Sequence, residues 1–311
     1  MNDIDCAKLL LTHEDILIVT HRNPDGDTSA SAAALCSALR RGGRRAWLFP
    51  NLQMSRKLKR YCEKFFAPED YKPKYVVAVD AADEKLLCEG FEGKVDLCID
   101  HHPSNTYYAV QSLVRPERAS CAEVVMQIML EINADLTKEE ATLLYIGLST
   151  DTGCFQYGNT DEAAFLAAAE LMRAGAENLE VNTIFFRKVS EARLKLESMI
   201  YNNIRFYRNG AIAVAIVTQD MLHEAGAEEE DLDNLAALAG RCESSRVNIT
   251  IREKEDGSCR VSVRSFRDVD SCAICAVFGG GGHAMAAGCT VKGSPEHVRD
   301  LMVRVTEELW Q

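Results

Sequence analysis

The sequence predicts an α/β protein with two domains, and two observations support this prediction. Four short apolar stretches in the first half, residues 16–20, 46–49, 75–79 and 95–99, are typical of buried strands. After Asn209-Gly210 the pattern restarts, and a chain of 311 residues has room for about two domains. We expect an N-terminal domain built on a parallel sheet and a smaller C-terminal α/β domain with a mixed sheet.

Composition limits the partners that this protein can have. Hydrophobic residues make up 47% of the chain and charged residues 26%, which suffices for ordinary buried cores. The formal charge of −12 argues against a protein that coats long nucleic acid, although a small phosphorylated substrate needs only a local positive pocket. No apolar run approaches the ~18 residues of a membrane span. The acidic start lacks the features of a signal peptide, so we expect a cytoplasmic protein.

The first predicted strand, residues 16–20, runs directly into a polar turn from His21 to Asp27. Pro24 and Gly26 favour a tight turn there, and the small residues 28–39 then predict a helix packed closely on the sheet. A helix N-cap needs only one aspartate, whereas Asp25 and Asp27 together repel each other unless a cation lies between them. Two aspartates with His21 therefore favour a metal site over a simple cap.

Other predicted strands end in the same residue types. Residues 75–79 are followed by Asp80, and residues 95–99 are followed by Asp100, His101 and His102. Ligands collect at the carboxyl ends of strands in open α/β sheets, so these side chains are candidates for metal binding, acid–base catalysis or both. A predicted helix, residues 137–149, leads to one further carboxylate, Asp151.

The second half predicts a connecting helix over residues 189–207 and then a strand over 211–217. Residues 246–252 and 259–265 form a predicted hairpin, because Asp256-Gly257 between alternating runs is a strong hairpin signal. Helices are predicted over residues 270–278 and 294–310. Between them lies a run of four glycines that ends at His283, which is either a turn that links helices or a place where backbone N–H groups approach a phosphate.

Taken in order, these motifs resemble the DHH phosphoesterase superfamily. The resemblance spans nearly the whole chain and is carried by six segments, residues 21–27, 79–80, 100–105, 150–153, 263–265 and 279–288. The first four match the motifs of the DHH catalytic domain, and the last two look like the DHH-associated C-terminal domain. One departure, Thr28-Ser29-Ala30, replaces an apolar residue and a glycine that relatives often carry, and it lies beside the predicted ligands without removing any.

The resemblance implies a centre with two divalent metal ions. The first ion would be held by His21, Asp25 and Asp80. The second ion would be held by Asp27, Asp80, His101 and Asp151, so that Asp80 bridges the two. Mixed imidazole and carboxylate ligands suit Mn²⁺, with Mg²⁺ or Co²⁺ as substitutes.

Three residues are expected to serve catalysis directly. Asp80 belongs to this set because, as the ligand shared by both metal ions, it would keep the two ions next to each other. His102 would face the substrate phosphate or protonate the leaving hydroxyl. Asp100 is predicted to orient an imidazole and not to bind metal itself.

The resemblance also divides the chain into a catalytic domain (1–187), a linker helix (188–208) and a substrate-binding domain (209–311), with the active-site cleft between the two domains. Arg264 can clamp a phosphate through two hydrogen bonds, with Ser265 beside it and Arg267 as a further candidate. The remaining predicted substrate contacts are Gly280, Gly281, Gly282 and His283.

We expect an enzyme that hydrolyses very short oligoribonucleotides to mononucleotides and dephosphorylates 3′-phosphoadenosine 5′-phosphate. Its partners would be short oligonucleotides or nucleoside bisphosphates, with no long duplex nucleic acid and no membrane, and a homodimer is an open option. The main alternative is a phosphodiesterase of cyclic di-AMP or pApA. A single-strand exonuclease of the RecJ type, a family II inorganic pyrophosphatase and a non-catalytic nucleotide sensor fit less well, the last because no predicted metal ligand is missing.

Overall fold

The structure is a computed structural model that describes residues 1–232, 235–266 and 268–310. Arg267, one of the predicted phosphate contacts, lies outside the described residues. The chain divides into two compact units, Met1–Lys188 and Val189–Gln311. No helix in the described ranges combines the length and the apolar character that a membrane span requires.

Unit 1 is built on a sheet of five strands that are all parallel, as predicted. The strands are β1 (Asp15–Val19), β2 (Arg45–Leu48), β3 (Tyr75–Val79), β4 (Leu97–Asp100) and β5 (Gln111–Val114), in the spatial order β2-β1-β3-β4-β5. The four predicted strand stretches form β1, β2, β3 and β4. The sequence did not predict β5, because this edge strand is only partly buried and therefore lacks a continuous apolar run.

Seven helices of unit 1 accompany this sheet. They are α1 (Asp3–Leu11), α2 (Gly26–Arg41), α3 (Arg56–Cys62), α4 (Cys121–Ile132), α5 (Lys138–Asp151), α6 (Glu162–Arg173) and α7 (Asn178–Asn182). Helix α2 is buried over most of its length because its small residues allow close contact with α4 and α5. Its alanines share one core with Ile16 and Ile18 of β1 and with Val77 and Val79 of β3. The start of α2 is thereby fixed against the carboxyl end of the sheet.

Unit 2 contains a mixed sheet of six strands, again as predicted. The strands are β6 (Arg205–Tyr207), β7 (Ile212–Val217), β8 (Val247–Glu253), β9 (Ser258–Ser265), β10 (Gly281–His283) and β11 (Ala286–Lys292), in the order β10-β11-β9-β8-β7-β6. The helices are α8 (Glu191–Asn203), α9 (Gln219–Ala225), α10 (Ser271–Ala276) and α11 (Pro295–Leu309). Only β7 and β8 pair in parallel, and the predicted hairpin is the antiparallel pair of β8 and β9.

The predicted helix over residues 189–207 was too long. Helix α8 ends at Asn203, whose side chain donates a hydrogen bond to the Ile216 carbonyl at 3.0 Å, and the next residues pair with β7 as strand β6. Leu196 and Ile200 of α8 lie in a core of unit 2 together with residues of β7. The role of residues 188–208 as a linker stays a prediction.

Candidate active site

The carboxyl ends of β1, β3 and β4 carry the polar residues that the sequence singles out. Because the three strands are parallel neighbours, His21, Asp80 and Asp100 emerge at the same edge of the sheet. Asp25 caps the start of α2 by accepting the backbone N–H of Thr28 at 3.1 Å, and Asp27 lies in its first turn. Asp25 therefore forms the helix cap, and Asp27 is not needed for capping.

A first group of potential metal ligands consists of His21, Asp25 and Asp80, with one ligand atom of each lying within 4.8 Å of the others. His21 Nε2 is 3.7 Å from Asp25 Oδ1 and 3.9 Å from Asp80 Oδ2. These separations leave room for an ion between the three atoms, since direct hydrogen bonds would be shorter.

A second group contains Asp27, His101 and Asp151. His101 Nε2 lies 3.9 Å from Asp27 Oδ2 and 3.5 Å from Asp151 Oδ2. It also lies 3.5 Å from Asp80 Oδ1. Asp80 therefore turns one carboxylate oxygen to each group, which is the arrangement that a bridging ligand requires.

The conformation and environment of Asp80 fit a metal ligand. Its Oδ1 atom is buried without a hydrogen-bond partner, an expensive state for a carboxylate oxygen unless a cation binds it. Its backbone has a φ of 59°, which is unusual for a residue other than glycine and clusters at functional sites. Burial and the negative charge of Asp27 raise the pKa of Asp80 well above its ordinary value.

The neighbouring carboxylates repel one another in the same way. Burial, followed by the charge of Asp151, raises the pKa of Asp27 to about 7. Burial, followed by the charge of Asp25, raises the pKa of Asp151 to about 7. A pair of divalent cations would offset this crowding of negative charge, so the donor set fits the metal centre that was predicted.

Asp27 is held by contacts that the sequence did not reveal. Its Oδ2 atom accepts the backbone N–H of Cys121 at 2.6 Å, and its Oδ1 atom accepts that of Ala122 at 2.9 Å. Both donors lie in the first turn of α4, where the free N–H groups and the helix dipole favour an anion. Ser31 donates a further hydrogen bond to Asp27 Oδ1 at 3.1 Å. One lone pair of Oδ2 still points away from these donors and is available to a cation.

Two glycines allow the helices around Asp27 to approach closely. A Cβ atom on Gly26 of α2 would lie 2.2 Å from Thr150 Oγ1, and one on Gly147 of α5 would lie 2.7 Å from Asp27 Oδ1. Any larger residue would push α5 away from α2, and Asp151 with it. Neither Gly147 nor Thr150 has a local sequence pattern that would identify this packing role.

The contact of His101 Nδ1 with a backbone carbonyl determines the orientation of the His101 ring. His101 Nδ1 lies 3.1 Å from the backbone carbonyl of Arg118, which can only accept, so Nδ1 carries the proton. Nε2 is then the unprotonated atom that faces Asp27, Asp80 and Asp151. A carbonyl behind the imidazole is a common way to fix the tautomer of a metal-binding histidine.

Asp100 does not belong to either group of potential ligands, and its oxygens are occupied instead. His102 Nδ1 lies 2.8 Å from Asp100 Oδ1, and Asn105 Nδ2 donates to Asp100 Oδ2 at 2.6 Å. Burial acts to raise the pKa of Asp100, but these two hydrogen bonds outweigh it and hold the pKa below its usual value. The same contact with Asp100 raises the pKa of His102.

The residues predicted to bind substrate lie in unit 2, on β9 and β10. Arg264 is exposed and paired in register with Ala286, which is in turn paired with His283. The Ser265 hydroxyl donates to the Val269 carbonyl at 2.6 Å, a contact within the unit that supports the neighbouring loop.

The glycine run is part of the sheet and not only a turn. Gly281 and Gly282 belong to β10, paired with β11. Gly282 has a φ of 146°, and a Cβ atom on Gly280 would lie 2.3 Å from the Gly288 carbonyl oxygen. Close strand packing therefore accounts for both of these glycines, whereas Gly281 has open space around its Cα atom.

Carboxylates and imidazoles gathered at the carboxyl edge of a parallel sheet form a donor set suited to the divalent ions of metal-dependent hydrolases. Residues 15–148 match the DHH family, N-terminal domain, and residues 209–311 match the DHHA1 domain. The chain belongs to the DHH phosphoesterase family.

Curated relatives cover most of the chain. A protein of Thermus thermophilus named "Bifunctional oligoribonuclease and PAP phosphatase NrnA" is 34% identical over 283 residues, which make up 89% of this chain and 84% of that protein. A Bacillus subtilis protein of the same name is 26% identical over 301 residues, or 92% of each chain. The crystal structure of an exopolyphosphatase-related protein from Bacteroides fragilis shares the fold, with a TM-score of 0.88 and 22% identity over 98% of this chain and 96% of that one.

Proposed function

We propose that this protein is a two-metal phosphoesterase that hydrolyses very short oligoribonucleotides to mononucleotides and dephosphorylates 3′-phosphoadenosine 5′-phosphate. The observation that carries the proposal concerns the carboxylate of Asp80. Its two oxygens face the two ligand groups, and one of them, Oδ1, has no hydrogen-bond partner. The names of the Thermus and Bacillus relatives support this choice of substrates. The proposed place of action is the cytoplasm, and a homodimer stays a prediction.

The proposed ligands are those that the geometry groups. His21, Asp25 and Asp80 would hold one ion. Asp27, His101 and Asp151 would hold the other, together with Asp80, which lies 3.5 Å from His101. Mn²⁺ suits this mixture of carboxylate and imidazole donors, with Mg²⁺ or Co²⁺ as substitutes. When bound, the ions would act as Lewis acids toward the substrate phosphate and the attacking water.

His102 is the proposed proton donor. Its Nδ1 is engaged by Asp100 at 2.8 Å, so the proton that it can release is the one on Nε2. The contact with Asp100 raises the pKa of His102, which favours the protonated imidazole that can donate to a leaving oxygen as negative charge develops on it. The part of the His102 side chain that is exposed, 41%, allows contact with a substrate.

Unit 2 supplies the proposed contacts to the end of the substrate. Arg264 and His283 lie one on each side of the small Ala286 and can both donate to one phosphate. Gly280, Gly281 and Gly282 leave the backbone accessible nearby, and Ser265 supports the adjacent loop. Positive groups are needed here because four carboxylates in the metal centre offset the charge of the two ions.

A substrate panel tests this proposal. Purified protein with Mn²⁺ is offered 3′-phosphoadenosine 5′-phosphate, a 5′-phosphorylated diribonucleotide, cyclic di-AMP, pyrophosphate and long single-stranded DNA. We expect AMP from the first substrate, 5′-mononucleotides from the second and little turnover of the others, with an Asp151→Asn variant purified in parallel as the control for contaminating enzymes. A preference for long DNA, cyclic di-AMP or pyrophosphate would overturn the assignment.

A further inference from the structure

The sheet of unit 2 has two faces of different character. Alternate residues of β9, including Val261 and Val263, point into a core that α10 and α11 cover. On the opposite face, helix α8 packs against β7, and residues 235–241 pack against β7, β8 and part of β9. The half of that face formed by β9, β11 and β10 is left largely exposed, and we call it the open face.

The register of the strands places the residues of the open face in rows. One row contains His283, Ala286 and Arg264, the residues already proposed to contact a terminal phosphate. The next row contains Gly281, Gly288 and Ser262, which are small and leave a shallow trough. The third row contains Thr290 and Arg260.

The open face is uniformly non-acidic although the chain carries a formal charge of −12. Its positions are alternate residues of β9 from 258 to 264, of β11 from 286 to 292, and residues 281 and 283 of β10, and none is Asp or Glu. Besides Arg264, the exposed side chains of Arg260 and Lys292 add positive charge, and His283 adds a ring that can form hydrogen bonds. A basic strip with glycines and hydroxyls between the charges is suited to an extended chain of phosphates.

Arg260 has the surroundings of a residue that needs an anion. It lies directly opposite Arg252 of β8, and like charges in this position destabilise a sheet. Arg252 is paired with Glu229 at 3.3 Å, whereas the side chain of Arg260 makes no ion pair or hydrogen bond with the part of the chain that the structure describes. A phosphate at Arg260 would relieve this repulsion.

We propose that Arg260, assisted by Lys292, forms a second phosphate subsite that binds the backbone of single-stranded oligonucleotides of three or more nucleotides. The inference rests on the proposed function, because Arg264 would hold the terminal phosphate. Arg260 and Arg264 are four residues apart on one strand, a span of about 13 Å. This span exceeds the separation of adjacent phosphates in a nucleotide chain and suits two phosphates that are not adjacent, whereas a dinucleotide or a nucleoside bisphosphate has only two phosphates in all.

The test compares Arg260→Gln with the wild-type protein on 5′-phosphorylated di-, tri- and tetraribonucleotides in Mn²⁺. We expect KM for the tri- and tetranucleotide to rise about tenfold, the effect of losing one hydrogen-bonded charge contact. KM for the dinucleotide should stay within about twofold, since it has no third phosphate to place at Arg260. Arg205→Gln is the matched control, because Arg205 is an exposed arginine on β6, at the other edge of the same sheet.

Salt dependence gives a second readout. For a fluorescently labelled trinucleotide, the slope of log K against log salt concentration should become shallower by about 0.7 in Arg260→Gln, as one phosphate contact is lost. An unchanged KM and slope, or an equal loss for all three lengths, would overturn the subsite. Failure of the proposed function would instead show as no hydrolysis by the wild-type protein, and the binding measurement would still decide the role of Arg260.

Discussion

Asp27 accepts the backbone N–H of Cys121 at 2.6 Å, a hydrogen bond that joins α2 to the first turn of α4. This contact gives a buried carboxylate a fixed orientation before any cation binds. Gly147 of α5 completes the packing, because the absence of a side chain there lets Asp27 and Ala122 come together. Three helices therefore determine where one proposed metal ligand lies.

Gly147→Ala should weaken both the fold and the metal centre. The added Cβ atom would lie 2.7 Å from Asp27 Oδ1 and 2.8 Å from Ala122 Cβ, so α5 must shift. We expect the free energy of unfolding to fall by about 1–3 kcal/mol, as in other overpacked cores, with a loss of Mn²⁺ affinity. Denaturant unfolding and metal titration measure the two effects. Gly158→Ala is the control, because a Cβ atom there meets open space; equal results for the two variants would contradict the packing argument.

Asn105→Ala should slow turnover without loss of metal. Asn105 is buried, donates to Asp100 at 2.6 Å and bonds the His102 carbonyl through its own N–H at 3.2 Å, so it supports His102 from two sides. We expect kcat to fall about 10–100-fold, the usual effect of removing a residue that orients a catalytic group, with KM and Mn²⁺ stoichiometry unchanged. Steady-state kinetics and metal titration provide these values.

A double-mutant cycle identifies the route of that effect. If Asn105 acts through His102, Asn105→Ala should cost little further activity in a His102→Ala background. The same fold loss in both backgrounds would indicate a general structural defect, and our account of Asn105 would be wrong.

Metal-free protein should lose stability as the pH rises from about 4 to 7. The carboxyls of Asp27 and Asp151 ionise near 3.8 in the unfolded chain and near 7 in the folded one, so the folded state binds more protons in this window and the unfolding free energy declines with pH. At pH 8, Mn²⁺ at 100 times its Kd should restore about 2.7 kcal/mol for each ion bound, a rise in Tm of about 5–10 °C per ion for a unit of this size. Thermal melts with chelator and with Mn²⁺ measure both. An Asp27→Asn/Asp151→Asn variant with the wild-type pH dependence would contradict this prediction.

The parts of the site that the sequence predicts are those with a local signature. An apolar strand that ends in a charged residue can be recognised from the sequence alone, and this pattern singled out His21, Asp80 and His101. They were expected to lie together because the carboxyl ends of parallel strands meet at one edge of the sheet. The role of Asp100 was also anticipated as a contact to an imidazole, and its oxygens do contact His102 and Asn105.

The remaining features depend on contacts between distant segments. Cys121 and Asp27 are 94 residues apart, and nothing in either segment indicates their hydrogen bond. Strand β5 is visible only as the partner of β4, and β6 was predicted as the end of a helix because Arg205–Tyr207 has no strand pattern of its own. Gly147 matters because it has no side chain, and this role can be recognised only when the positions of the neighbouring helices are known.

The bridging role of Asp80 is tested most directly by titrating metal-free protein with Mn²⁺ in a calorimeter, with hydrolysis of a 5′-phosphorylated dinucleotide followed on the same samples. The wild-type chain should bind two ions. Because both ligand groups share Asp80, Asp80→Asn should lose tight binding at both sites and reduce turnover by more than the roughly 100-fold expected for a residue that only supports the ligands. A wild-type chain that binds one ion, or an Asp80→Asn variant that still binds two and turns over substrate, would contradict the two-metal centre.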